Sequence, residues 1–599
     1  MGAAVRYTLS LYRPEAHLFR VTAECRAPVR EGQRFWLPVW LPGSYLVREF
    51  ARHIVSLRAY CGAREVSVRK VDTHTWQCGA LPKDEPLRVE YEVYGKDASV
   101  RGAWLDTDGA FFNGSSLFLA FAGREAEPCT LDLAPLPKGW RARAVLTTLP
   151  ARGKKPLRWR APDYETLIDH PFVIAEVTRL AFRAGGVPHE LAIRGRHDCD
   201  GERLTADLAR ICAWQQNLFG MPAPFARYLF LVHATGHDYG GLEHRDCTAL
   251  VTPRNDLPWP GMTGTPEGYV RFLGLCSHEY FHAWHVKRIR PAAFSPPDLH
   301  RENFTRLLWV FEGFTSYYDD LALLRAGVID ETTWRALFAK NLATILQTPG
   351  RLRQSVAEAS FDAWIKYYRQ DENAPNALVS YYTKGALIAA ALDLRLRAES
   401  KGRVSLDALM RRLWREHGQT ARGLEEDEIY AHLTAVGDAA APGQGAALAR
   451  WLRTVVEGTR DLDFNRLLAP FGLRLHWKTD ASAAAPELGA RLSAAKGQGV
   501  RLVQVYTDGA AQRAGLSAED LLIACNGLRL ENPAALHAAL ARARAGDVLT
   551  LHYFRRDELR HTALTVPDAA PRALEILPLE KPTAAQRKLR AGWLQRAAG

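Results

Sequence analysis

Residues His278-Glu279-Tyr280-Phe281-His282 spell H-E-x-x-H. On a helix, residues four apart stand one above the other, with Cβ atoms about 5–6 Å apart. Two imidazoles so placed can converge on one zinc ion, which binds nitrogen at about 2.0–2.1 Å. Glu279 then lies beside the metal as a candidate general base. His285 lies seven residues beyond His278, roughly 10 Å further along a helix axis. It cannot share that ion with His278 and reads as packing or as the lining of a pocket.

A catalytic metal site needs a third protein ligand and an open position. Glu312 offers a carboxylate within the aromatic run Trp309 to Tyr318. Burying it there is costly unless a cation compensates; a solvated helix face is the alternative. Ser316 and Asp319 follow on the same helical face, placed to hydrogen-bond the outer nitrogens of the histidines. Gly313 costs about 1 kcal/mol inside a helix, so something packs closely there. Upstream, Gly240-Gly241-Leu242-Glu243-His244 lies between the strand-like runs Tyr228–His233 and Thr248–Val251, a hairpin pattern. A carboxylate there could pair with an ammonium; an ordinary turn reads equally well. Tyr381 and Tyr382 open a helix ahead of Gly385, and either ring could simply pack in a core.

With these segments in hand, HEYFHAWHVKRIRP followed by LWVFEGFTSYY resembles the glycyl aminopeptidase family, zinc peptidases carrying a PDZ domain and related to the thermolysin-like aminopeptidases. The likeness runs nearly the whole length, from WLPGSYLVREFARH to the C-terminal region. It implies one Zn2+ per chain held by His278, His282 and Glu312, with Glu279 as base. Glu243, with Gly240 and Gly241, would grip the free α-amino group of a peptide substrate. Tyr382, three residues before the glycine of its segment, would donate a hydrogen bond to the oxyanion. His285 stands where asparagine is expected in most relatives. Leu41-Pro42-Gly43-Ser44-Tyr45 and Phe112-Asn113-Gly114-Ser115 look like loops of the family, carry no chemistry legible from sequence and read as turns. The implied activity is release of small N-terminal residues, glycine or alanine. A catalytically silent PDZ scaffold and a zinc endopeptidase are the rival readings. The intact ligand, base and phenol positions argue against the first, and the G-G-L-E segment argues against the second.

The elements that must position these residues can be sketched. Thr265 as N-cap, Pro266 at the first position and Glu267 in the first turn predict a helix start. No proline intervenes from Tyr269 to Ile289, so the helix is expected to run until Pro291 stops it. The fold class is multidomain α+β. Residues 1–175 alternate as strands and read as an antiparallel β domain, 176–400 as a thermolysin-like catalytic domain and 401–478 as a helical domain. Residues 484–568 resemble a PDZ domain, with a helix from Pro533 to Arg544 and a strand from Asp547 to Phe554, after a linker at Thr479–Pro486. Such domains accept a peptide C-terminus by strand addition. Ala490 in the Leu488-Gly489-Ala490 loop leaves peptide binding and a structural role both open. Residues 569–599 form a tail whose Leu589, Trp593 and Leu594 stripe predicts a docked helix.

Composition bounds the rest. The chain has 599 residues, 47% hydrophobic and 24% charged, which excludes a disordered chain. No apolar run reaches about 18 residues, so no membrane span is expected, and the first residues lack the apolar core of a secretory signal. Nine cysteines without a C-x-x-C pair read as reduced thiols of a cytoplasmic protein. The net charge of +12 is spread along the chain, so a solvated basic surface is expected rather than a nucleic-acid partner. The partners expected are peptides with a free N-terminus and a peptide C-terminus at the PDZ domain.

Overall fold

The computed structural model describes residues 3–82, 85–149, 157–478, 484–571 and 573–594. They form two compact units. One comprises residues 1–303 with 326–329 and 411–424; the other comprises 304–325, 330–410 and 425–599.

The first unit begins with an eight-stranded sheet. Val5, Tyr7 and Leu9 alternate with less buried neighbours, as do Phe19, Val21, Ala23 and Cys25 on the paired strand. That period of two buries one face of each strand. One pairing departs from the antiparallel expectation: Val5–Leu9 runs parallel to Cys129–Leu133. The intervening chain builds other strands and returns in the same direction. A five-stranded sheet follows, in the spatial order Thr178–Ala184, Val187–Arg194, Tyr228–Thr235, Cys247–Pro253 and Gly240–Glu243. Its central strand pairs parallel on both sides, and Tyr228 to Val232 are all buried, as parallel strands covered on both faces require. Asp200 caps the helix Gly201–Phe219, accepting from the Arg203 N–H at 3.1 Å.

The helix carrying the histidine motif spans Glu267–Phe281. Pro266, not Thr265, occupies the cap, and no side chain caps the helix start. The helix also stops earlier than the sequence predicts, at Phe281 rather than Ile289. Beyond His282 the backbone turns: Lys287 N–H donates to the His282 carbonyl and Ile289 N–H to Trp284. Val286 sits at φ +131°, a strained region for a β-branched residue. Its neighbours secure it. Lys287 Nζ is 2.6 Å from Asp169 Oδ1, and the Arg288 guanidinium reaches Asp246 and the carbonyls of Ala283, Arg245 and Pro224.

In the second unit, helices Leu308–Arg325 and Thr383–Glu399 cross at two glycines. A Cβ on Gly313 would lie 2.5 Å from the Cα of Gly385. This is the close approach that glycine inside an aromatic run implied. Tyr317 donates to Asp393 at 2.8 Å, and Trp593 Nε1 donates to the Tyr317 hydroxyl at 2.8 Å. Trp593, in the helix Ala584–Leu594, is fully buried, so the tail docks through the stripe read from sequence. Between them a six-stranded sheet, with the helix Pro533–Arg542, surrounds a core of Val500, Leu502, Leu522, Leu536, Leu551 and Leu564. Most of the expected linker, 479–483, and the last residues of the tail, 595–599, lie outside the described residues. All nine cysteines are free thiols, and among the described residues no helix is long and apolar enough to cross a membrane.

Candidate active site

Gly240–Glu243 forms the edge of the five-stranded sheet and pairs antiparallel with Thr248–Val251, the hairpin expected from sequence. Residues two apart on a strand share a face, so Gly241 and Glu243 point the same way. That face meets the histidine helix. A Cβ on Gly241 would lie 2.1 Å from Glu279 Oε1, so only glycine lets the Glu279 carboxylate reach this position. Oxygens of Glu243 and Glu279 and a ring nitrogen of His282 lie within 4.8 Å of one another, and all three residues are buried. Two carboxylates brought this close in a buried site call for cations.

The imidazoles are arranged to hold one. The Nε2 atoms of His278 and His282 are 3.1 Å apart. Two nitrogens bound to one tetrahedral zinc ion at the usual length would stand about 3.3 Å apart. His282 Nδ1 lies 2.7 Å from the His285 carbonyl, which can only accept, so Nδ1 carries the proton and Nε2 presents its lone pair. The early end of the helix has a local consequence: the turn brings the carbonyl of residue 285 back to hold the His282 ring. This contact is invisible in sequence, because the group belongs to the backbone; the His285 ring itself is buried, which fits packing and pocket lining alike.

One further feature of this unit was illegible as chemistry. Gly43, in the Leu41–Tyr45 loop, has φ +96°, and a Cβ there would lie 2.5 Å from both carboxylate oxygens of Glu243. Its loop thus lies directly on that carboxylate. Glu243 Oε1 is buried with no hydrogen-bond partner among the described residues. A buried unsatisfied carboxylate oxygen is costly unless a ligand completes it.

Behind Glu243, Asp169 binds Lys287 Nζ, lies 3.4 Å from His244 Nδ1 and accepts from the Arg245 N–H at 3.0 Å. Burial alone would raise the Asp169 pKa, but Lys287 and His244 hold it well below the usual carboxylate range. Burial lowers the His244 pKa, with Asp169 opposing. Because the Asp169 pKa is depressed on folding, its stabilisation is full above the unfolded value near pH 4 and is lost as pH falls through the folded value. Asp169→Asn leaves the Lys287 ammonium buried without its counter-charge and is expected to destabilise the protein by about 3–5 kcal/mol. Denaturant unfolding at neutral pH checks the size of the loss, and the gap to wild type should close in acid.

In the second unit Glu312 is 2% exposed on the helix Leu308–Arg325, with Ser316 and Asp319 one and two turns on, both half-buried. Tyr382 precedes the helix Thr383–Glu399 and is partly exposed, its hydroxyl 3.3 Å from that of Tyr368. Tyr381 is fully buried, and burial, with Tyr368 and Glu312 nearby, raises its pKa well above the ordinary value. Of the two adjacent phenols, Tyr382 is the one within reach of solvent.

Comparison with known proteins identifies what the chain is similar to. Residues 271–388 match the M61 glycyl aminopeptidase family, 6–176 the Peptidase M61 N-terminal domain and 486–566 a PDZ domain. The crystal structure of an aminopeptidase N family protein from Idiomarina loihiensis is 37% identical, with a TM-score of 0.92 over 98% of this chain and 100% of its own. The M1 zinc metallopeptidase of Deinococcus radiodurans matches at 14% identity and TM-score 0.48, over 76% of this chain and 94% of its own. Legionella pneumophila aminopeptidase A matches at 14% identity and TM-score 0.47, over 76% of this chain and 49% of its own. Among curated proteins none matches the chain. The family matches of the catalytic, N-terminal and PDZ regions, with likeness along nearly the whole chain to a relative more than a third identical, place it in the M61 glycyl aminopeptidase family: the chain is a metallo-aminopeptidase acting on peptides.

Proposed function

We propose that this enzyme hydrolyses the first peptide bond of peptides with a small N-terminal residue, using one Zn2+ held by His278, His282 and Glu312. When bound, zinc acidifies a water molecule and polarises the scissile carbonyl. Glu279 takes the proton of that water and returns it to the leaving amine. Tyr382 donates its phenolic hydrogen to the oxygen on which negative charge develops. Asp319 and Ser316 are assigned to the outer nitrogen of His278, the counterpart of the His285 carbonyl on His282. Glu243, flanked by Gly240 and Gly241, pairs with the substrate ammonium and so fixes which bond lies at Glu279. The observation that carries the reading is the Glu243 carboxylate, buried with an unpartnered oxygen and gathered with Glu279 and His282 within 4.8 Å. A free ammonium is the ligand that satisfies it. The PDZ domain suggests a second peptide contact, for which a partner C-terminus is the proposed ligand.

The test is hydrolysis of glycyl- and alanyl-anilides with metal content measured alongside. A chelator should abolish turnover, one equivalent of zinc per chain should restore it, and N-acetylated substrates should be inert. Equal cleavage of acetylated and free substrates would make the enzyme an endopeptidase.

A further inference from the structure

Arg101 belongs to the β-rich N-terminal region, 140 residues before Gly241, yet it reaches the edge strand of the site. Its Nη2 donates to the Gly241 carbonyl at 3.1 Å, and a Cβ on Gly240 would lie 3.6 Å from its Nη1. Its Nε is buried without a hydrogen-bond partner among the described residues. The loop that carries it is braced on both sides. Asn113, fully buried, donates through Nδ2 to the carbonyls of Val100 at 2.9 Å and Gly102 at 3.3 Å, the residues flanking Arg101. Ser99 Oγ accepts from the Arg101 N–H at 3.2 Å, and Asp97 Oδ1 accepts from the Ser99 N–H at 2.9 Å. A Cβ on Gly102 would lie 2.2 Å from Asp97 Oδ2, so the tight approach needs glycine. The Phe112-Asn113-Gly114-Ser115 motif, a turn by sequence, thus aims a guanidinium at Gly241.

We propose that Arg101 binds the C-terminal carboxylate of the substrate, so that the preferred substrates are dipeptides with a free carboxylate. This rests on the reading that Glu243 holds the substrate amine. Glu279 packs against the Cα of Gly241, so a peptide whose amine is held at Glu243 runs along the strand toward Gly240, with its first peptide bond about half way between Glu243 and Gly241. Glu243 and Gly241 are two strand residues apart, about 7 Å. An extended dipeptide also spans about 7 Å. With its amine at Glu243, a dipeptide ends at the level of Gly241, where Arg101 stands. A guanidinium recognises a carboxylate through parallel N–H donors, which a C-terminal amide cannot match. Satisfaction of the orphaned Nε by the carboxylate would complete the site at both ends: carboxylate for ammonium, guanidinium for carboxylate.

The experiment compares kcat/KM for glycyl-leucine with that for glycyl-leucinamide and N-acetyl-glycyl-leucine. Wild type should favour the free acid over the amide by about ten- to a hundredfold, the range of a charge-assisted hydrogen bond. Arg101→Gln should bring that ratio to near one, and Arg101→Lys should keep part of it, because the charge remains while the fork is lost. Equal wild-type efficiency on acid and amide, or a ratio untouched by Arg101→Gln, overturns the role of Arg101 and leaves the amine reading standing. Cleavage of the acetylated peptide as fast as the free one, or of neither free peptide, sinks the amine reading and this inference with it.

Discussion

Glu279→Gln is expected to lower kcat by about 10²–10⁴, the usual contribution of a positioned general base, while metal content stays at one equivalent. Glutamine has nearly the same shape, so it should fit the space that Gly241 leaves open for the Glu279 side chain. It cannot accept the proton of a nucleophilic water. Because Glu279 is proposed to act only as the bond breaks, KM should change little, and kcat and kcat/KM should fall together. Steady-state kinetics on glycyl-leucine, with metal analysis of the same sample, decides the matter. Turnover at the wild-type rate would remove Glu279 from the role of base. Loss of metal would instead make it a ligand, an outcome made concrete by its lying within 4.8 Å of His282.

What sequence could show follows from how local each signal is. The H-E-x-x-H spacing is legible because a helix converts a separation of four into adjacency, and those five residues lie on the helix Glu267–Phe281 or at its cap. The G-G-L-E hairpin is legible for the same reason: its partner strand follows within ten residues. The end of the histidine helix is not. It depends on Val286 at positive φ, held by a lysine and an arginine whose carboxylate partners lie 118 and 42 residues away. The contributions of Gly43 and Arg101 are hidden by sequence distances of 200 and 140 residues to their contacts. The family-like loops marked Gly43 and Asn113 but not Arg101, and the chemistry came only from the fold: a missing Cβ at Gly43, and a loop braced by Asn113 for Arg101. The parallel pairing of Val5–Leu9 belongs to the same class, since direction depends on the path of everything between the two strands.

The identity of the third ligand separates two arrangements that the donor chemistry alone admits. Glu243 lies within 4.8 Å of His282 and could serve a metal instead of an ammonium. Glu312, 2% exposed on the helix Leu308–Arg325, is a buried carboxylate whose ionised form a nearby cation would stabilise. Our assignment gives the metal to Glu312 and the substrate amine to Glu243. Glu312→Ala is therefore expected to weaken zinc binding by at least about 100-fold, since loss even of an outer-sphere partner costs about 10–100-fold. Glu243→Ala should retain one equivalent of zinc while losing most of its kcat/KM on free-amine peptides. Titration of both apo variants with zinc, followed by kinetics on free and acetylated peptides, reads the two roles separately. Full zinc affinity in Glu312→Ala together with metal loss in Glu243→Ala would exchange the assignments. The exchange would also leave the ammonium without a carboxylate at the edge strand, and an enzyme so built should discriminate poorly between free and acetylated N-termini.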